Sequence, residues 1–403
     1  MPISVKHLLG ATLLWVAANT AQAQTLTLDS ALQNAFANHP DLAAAQWDIN
    51  IAEGGRQQAA LIPNPVLSVD AEDTRRDTRT TSVKLSQTLE LGGKRGARID
   101  VATRAQDATA LTLEQRRNTL RADVIDSYYG ALRAQERLDL AQRSLKLAER
   151  GLVVANGRVT AGKTSPVEAT RAQVQVSQIR LEFNRAQMGL NDAYRRLAAS
   201  TGSAVVDFQG VATQKLPLPP AAQLLARLEQ TAELRLAELQ ILHSEASVGL
   251  EKAQRIPDLD VSIGSQYDAG ARERVNLVGL SMPLPLFNRN QGNVLAASRR
   301  ADQARDLRNA TELRLRTETR QALDLWQTAD SEVRTFNQQI LPAAQSAVDS
   351  ATRGFEMGKF NFLDVLDAQR TLIAARTQYL AATAQATEAW VRIERIYGDL
   401  TRL

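Results

Sequence analysis

The sequence predicts a mainly helical fold with a small β part, in which one unit occurs twice. Each unit has two β-strands followed by a long antiparallel coiled-coil hairpin. Three observations predict it: the composition, an internal repeat and four short segments of period 2. The chain has 403 residues, 44% hydrophobic but only 4% aromatic, and it is rich in Ala, Leu, Gln and Arg. That is the alphabet of long helices and coiled coils rather than of an aromatic-packed core.

The N-terminal segment, residues 1–23, is expected to be a cleaved signal peptide. Lys6 supplies a positive start, Leu8 to Ala18 an apolar stretch, and Ala21-Gln22-Ala23 an A-x-A cleavage site. The mature chain then begins near Gln24 and is exported. No later segment has the roughly 18–20 apolar residues that a membrane-spanning helix needs.

The repeat follows. Ala161-Gly162-Lys163-Thr164-Ser165-Pro166-Val167-Glu168 recurs as Met357-Gly358-Lys359-Phe360-Asn361-Phe362-Leu363-Asp364. Ile62-Pro63-Asn64 matches Ile256-Pro257-Asp258, Leu85-Ser86 matches Leu280-Ser281, and Ala172-Gln173 matches Ala368-Gln369. The copies are expected to span 24–210 and 211–403, meeting near the Pro-rich Leu216-Pro217-Leu218-Pro219-Pro220.

Each copy opens with its strands. Leu67, Val69 and Ala71 alternate with Ser68, Asp70 and Glu72, and Val83, Leu85, Leu89 and Leu91 alternate with polar neighbours. In the second copy Leu259, Val261 and Ile263 alternate with Asp260, Ser262 and Gly264, while Val278, Leu280, Met282 and Leu284 share one face. Pro283 and Pro285 mark where the last strand leaves the sheet. One apolar and one polar side fits an outer-membrane strand and equally a half-buried soluble one. The count separates them. Four strands do not close a membrane barrel, and in lipid every sheet edge must be paired, so a barrel requires several chains.

The long helices come next. From about Gly96 to Gly157 no Pro interrupts the chain, and roughly 60 helical residues measure about 90 Å. A turn at 157–165 and Pro166 then reverse the chain into a second helix. There Ala169, Ala172, Val176, Ile179, Phe183, Ala186, Leu190, Ala193 and Leu197 alternate spacings of 3 and 4. Val365, Ala368, Leu372, Ala375, Tyr379, Ala382, Ala386, Ala389 and Ile393 do the same in the second copy. That is a coiled-coil seam with Ala for close approach. Pro342 predicts a kink in the second hairpin.

Composition excludes several functions. With no Cys there are no disulfides, thiolate metal sites or thioether-linked lipid, and three His leave little for an imidazole site. Lys plus Arg exceed Asp plus Glu by only 48 to 44 with the signs interspersed, which does not describe a nucleic-acid binder. No nucleophile–base pair, phosphate loop or metal motif occurs, so neither an enzyme nor a cofactor is expected. His39, before Pro40, and the isolated His243 are expected to be structural, and no metal site is assigned.

These residues together resemble the TolC-like outer-membrane efflux proteins. Gln87-Thr88-Leu89-Glu90-Leu91-Gly92-Gly93-Lys94-Arg95 and the short chain resemble their heavy-metal branch, of the CzcC (cobalt–zinc–cadmium) type. The resemblance implies a homotrimer whose three chains of four strands make a twelve-stranded barrel in outer-membrane lipid. Its helices continue as a periplasmic tube that meets a periplasmic adaptor, or membrane fusion protein, coupled to an inner-membrane RND pump. Cargo would pass passively, divalent heavy-metal cations being expected. Drug efflux or type I secretion is the alternative cargo, and a soluble exported coiled-coil adaptor or rod is the alternative class.

The resemblance also implies sites. Counted from Gly358, Asp364 and Asp367 match an acidic ring that closes the periplasmic end, a geometry favouring cations. On their own, two Asp at a helix start are equally the ordinary partners of a helix dipole. Phe355 and Phe360 stand where the best-studied pattern has a Tyr and an Arg, so an apolar lock replaces a polar one. Glu168 occupies the place of Asp364 in the first copy and Arg171 that of the second acid. Adaptor docking falls to the tips: Gly162, Lys163, Thr164 and Ser165, then Gly358, Lys359 and Asn361.

Overall fold

A computed structural model describes residues 25–204, 206, 210–212 and 218–400. The expected signal peptide and Leu216-Pro217 at the expected junction lie outside the described residues.

Two helices, α1 (Leu28–Asn38) and α2 (Pro40–Ala59), precede strands β1 (Val66–Glu72) and β2 (Thr80–Leu89). The first hairpin is α3 (Lys94–Thr160) and α4 (Pro166–Ser200). The short α5 (Ala221–Ala226) and α6 (Ala232–Ala253) lead into β3 (Leu259–Asp268) and β4 (Glu273–Ser281). The second hairpin is α7 (Gln291–Thr335), α8 (Leu341–Glu356) and α9 (Phe362–Tyr397). Helix α3 runs 67 residues, about 100 Å. Both predicted hairpins are therefore present. The strands are shorter than predicted: Leu91, Met282 and Leu284 fall outside them. Gly92 and Gly93, at φ +71° and +74°, turn the chain from β2 into α3, and Pro283 ends β4 because it has no ladder N–H to give.

The hairpins pack side by side. α3 contacts α4 and α9, and α9 contacts α7 and α8. Ala172, Val176, Ile179, Ala186, Leu190 and Leu197 of the first predicted seam are buried, as are Val365, Ala375, Ala382, Ala389 and Ile393 of the second. The largest core joins α1, α3, α4 and α9 around Tyr128, Ile125, Leu197 and Trp390. Burial of one such side chain stabilises by about 1.5–3 kcal/mol. The Tyr128 hydroxyl lies 3.1 Å from the Leu26 carbonyl and 2.6 Å from that of Ala212. It thus ties the start of the described chain to the region between the copies.

At Pro342, where a kink is predicted, the regular α-helical ladder is interrupted. The helix is not broken; the five residues Phe336–Ile340 form a π-helical turn between α7 and α8. Pro342 has no N–H for the carbonyl four residues back and its ring crowds that carbonyl. The wider turn accommodates both demands without ending the helix.

All four strands form one antiparallel sheet in the order β1-β2-β3-β4, so the β2–β3 ladder joins the two copies. The outer edges of β1 and β4 pair with nothing among the described residues. Register places Leu67, Leu85, Ile263 and Val278 in one row across the sheet. These side chains are 68%, 45%, 58% and 80% exposed. The same face carries Val69, Val83 and Leu280, with Ser265 and Asn276 among them, and none of the described residues covers it. The opposite face carries Ser68, Asp70, Ser82, Lys84, Ser262 and Gln266, joined on β4 by Val275 and Leu277.

Candidate functional site: a sheet wall and two hairpin tips

Every connection between sheet and helices lies at one end of the sheet: α2 enters β1, β2 leaves for α3, α6 enters β3, and β4 leaves for α7. The two strand-to-strand loops, at 73–79 and 269–272, occupy the other end. A wall with open edges, one apolar face and helices on one side only is a segment of a barrel that other copies must complete.

The polar face ends near the loops in a row that sequence reasoning missed. Glu72, Thr80, Asp268 and Glu273 stand opposite one another across the four strands. Asp268 and Glu273 are direct partners, an arrangement of like charges that destabilises a ladder. The Asp268 Oδ1 accepts the backbone N–H of Gly270 at 2.8 Å and of Ala271 at 3.1 Å. The signal was available in the period-2 pattern, which puts all three acids on the polar side, but it required the β2–β3 pairing to assemble them.

The two tips have the same construction. In the first, the Lys163 N–H reaches back to the Arg158 carbonyl and that of Gly162 to Val159, both at 2.9 Å. In the second, Lys359 reaches Gly354 at 2.8 Å and Gly358 reaches Phe355 at 3.0 Å. These paired bonds require a left-handed residue at the helix end, and Gly162 and Gly358 supply it at φ +67° and +72°. The next helix then starts on a cap. Ser165 Oγ accepts from the Val167 N–H at 3.3 Å, and the Asn361 N–H donates to Asp364 Oδ2 at 2.8 Å.

The predicted constriction residues divide. Asp364 and Asp367 are exposed, one helical turn apart. Phe360 is 47% exposed and lies over Gly354, where a Cβ would collide with its ring. Phe355 is only 2% exposed in the single chain, its ring enclosed within the tip. It packs on Phe362, with ring centroids 5.6 Å apart, and under the Arg158 guanidinium at 5.0 Å. Ala155, Ala172, Val365 and Leu366 complete this cluster, which glues one hairpin to the other. Gly151 permits it, since a Cβ there would stand 3.2 Å from the Phe362 ring. Glu168 is half-buried with one carboxylate oxygen enclosed and unpartnered; Arg171 is exposed. No Arg171–Asp367 ion pair occurs among the described residues.

His39 caps α2: its Nδ1 accepts the Asp41 N–H at 3.3 Å, with Pro40 in the first turn. Among the described residues no group of three His, Asp or Glu could hold a metal ion. Among the same residues, no helix is long and apolar enough to cross a membrane.

In the main core a second charged arrangement is buried. Glu394 is fully enclosed, ion-paired to Arg121, and accepts the Leu400 N–H at 3.2 Å. Arg121 also holds Asp399 at 2.7 Å. Burial pushes the Glu394 carboxyl up to about 7, against the opposing pull of Arg121.

Comparison with known proteins agrees with this geometry. The family described as outer membrane efflux protein matches twice, over residues 31–203 and 226–399. The cobalt-zinc-cadmium resistance protein CzcC of Cupriavidus metallidurans is 40% identical over 377 residues, covering 93% of this chain and 90% of that protein. The cation efflux system protein CusC of Escherichia coli is 24% identical over 64% of this chain and 59% of its own. Among solved structures, the outer-membrane channel OprN superposes with a TM-score of 0.76 at 20% identity, covering 91% of this chain and 89% of OprN. A CusC structure superposes with a TM-score of 0.75 over 93% and 91% of the two chains at 20% identity. The family consists of efflux channels rather than enzymes. This chain, with its two matched copies and its wall-like sheet, belongs to the outer membrane efflux protein family.

Proposed function

We propose that this channel conducts divalent heavy-metal cations, as the exit duct of a tripartite efflux system. Channels of the family are homotrimers that extend from the outer membrane into the periplasm and work with periplasmic adaptors and inner-membrane RND pumps. The metal cargo rests on the relatives: CzcC carries cobalt, zinc and cadmium in its name, and the 28% identical NccC of Alcaligenes xylosoxydans xylosoxydans carries nickel, cobalt and cadmium.

The observation that favours cations in this chain is the carboxylate row Glu72–Asp268–Glu273, on the polar face beside the outer loops. Repeated in each copy of a trimer, it lines the exit with negative potential. Asp364 and Asp367 form the second acidic ring, at the opposite end of the tube. The aromatic surface of Phe360 narrows the same opening, with Glu168 and Arg171 beside it on the first hairpin. The tips Gly162-Lys163-Thr164-Ser165 and Gly358-Lys359 with Asn361 dock the adaptor. Their backbone is fixed by capping bonds, so they present a preformed surface.

Deleting the gene and measuring growth in zinc, cobalt, cadmium, nickel, copper and a drug panel tests the cargo. Lost tolerance to the divalent metals alone is expected. Intact metal tolerance with lost drug tolerance rejects the assignment.

A further inference from the structure

The loop end of the sheet sorts its charges by face. The polar face carries Asp70, Glu72, Asp268 and Glu273. On the apolar face the row nearest the loops is Ala71, Thr81, Tyr267 and Arg274. Arg79 extends β2 by one residue on that same side, its carbonyl accepting the Ala269 N–H at 3.0 Å. Tyr267 is thus flanked by Arg274, its direct partner on β4, and by Arg79, diagonal to it on β2.

A guanidinium on a lipid-facing surface needs a partner or it costs several kcal/mol, about 2–4 at the bilayer midplane and little at the interface. Position resolves this. Tyr267 and Arg274 are four residues from Ile263 and Val278 of the apolar row, about 14 Å along the strands at ~3.4 Å per residue. They therefore stand where hydrocarbon gives way to headgroups, and an interfacial Tyr marks that level. Among the described residues no carboxylate pairs with Arg79 or Arg274, whereas Arg75 in the same loop is held by Asp73 at 2.8 Å.

We propose that Arg79, Tyr267 and Arg274 bind the phosphorylated headgroup of an anionic outer-leaflet lipid, at one site on the outer rim of each chain. This rests on the reading of the sheet as a barrel wall. The chemistry is phosphate recognition: two guanidiniums with forked donors converge on one anion. The Tyr hydroxyl adds a donor, while Val69 and Val83 and the row Leu67, Leu85, Ile263 and Val278 below receive the acyl chains. A lipid is the occupant because charge complementarity above and, past Ser265 and Asn276, the apolar surface of Val69, Val83, Leu67, Leu85, Ile263 and Val278 lie on one face; a soluble anion uses only the first.

The test is native mass spectrometry of the detergent-solubilised protein, titrated with diphosphorylated lipid A, with its dephosphorylated form, and with inorganic phosphate as competitor. We expect one retained lipid A per chain. Arg79→Gln with Arg274→Gln should weaken retention at least about tenfold, since two charge-assisted bonds are lost. Arg75→Gln should leave it unchanged. Equal retention by the Arg79→Gln/Arg274→Gln variant overturns the proposal. So does equal retention of the dephosphorylated lipid, or displacement of lipid A by equimolar phosphate. A failure of the barrel reading is distinct, because the unmodified protein would then be neither trimeric nor conducting.

Discussion

Asp268 and Glu273 face each other directly across the β3–β4 ladder, two carboxylates where an uncharged or opposite pair would be more stable. Glu273→Gln should therefore leave the fold intact and stabilise this hairpin by a few tenths to about 1 kcal/mol. In bilayer recordings the same change, combined with Asp268→Asn, should lower the preference for cations. Unchanged reversal potentials in a salt gradient would remove this row from the conduction path.

Asp364 has two roles that can be separated. Its carboxylate caps α9 through the Asn361 N–H, and it is a member of the proposed ring. Asp364→Asn keeps an acceptor but loses the charge, whereas Asp364→Ala loses both and costs about 1 kcal/mol of cap energy. Combined with Asp367→Asn, the Asn variant should reduce cation preference without lowering thermal stability. Equal selectivity in the unmodified protein and this double variant would leave Asp364 with the cap alone.

Phe355 is a packing residue, and its substitution should act on stability. Phe355→Ala removes a buried ring from between the hairpins, a change that typically costs about 3–5 kcal/mol. It should speed proteolysis near the tips and lower the melting temperature. Phe360→Ala, with an exposed ring, should do much less to stability. Similar melting curves for the two variants would contradict the assignment of Phe355 to the tip cluster.

Glu394 makes stability depend on pH. Its carboxyl titrates near 7 when folded and near 4.3 in the unfolded chain. The folded state therefore holds the proton more tightly. That contribution is complete below about pH 4 and disappears as pH rises through 7. Relative to Glu394→Gln, the unmodified protein should lose melting temperature between about pH 5 and 8. Parallel curves for the two proteins across that range would count against the assignment.

The parts of this architecture legible in the sequence were those encoded locally. The Gly-Lys tips, the seam of Ala172, Val176 and Ile179, and the alternation of Leu67 and Val69 each follow from neighbours along one element. What depends on distant pairing was not legible. The β2–β3 ladder, which assembles Glu72, Asp268 and Glu273, joins segments far apart in the chain. The burial of Phe355 needs Gly151 and Arg158 of the other hairpin to be known. Pro342 could be recognised as a disturbance, but the π-turn that absorbs it depends on the helix staying packed on α9.

If β1 and β4 are interior strands of a barrel shared by three chains, each pairs with a strand of a neighbouring copy. This pairing can be tested by cross-linking, because the native chain contains no Cys. Ser68→Cys on β1, combined in turn with single cysteines along β4, would place two thiols within disulfide range at the matching register. One register is expected to give covalent trimers on a non-reducing gel, dependent on both cysteines. A chain that stays monomeric, or closes β1 onto its own β4, would contradict it.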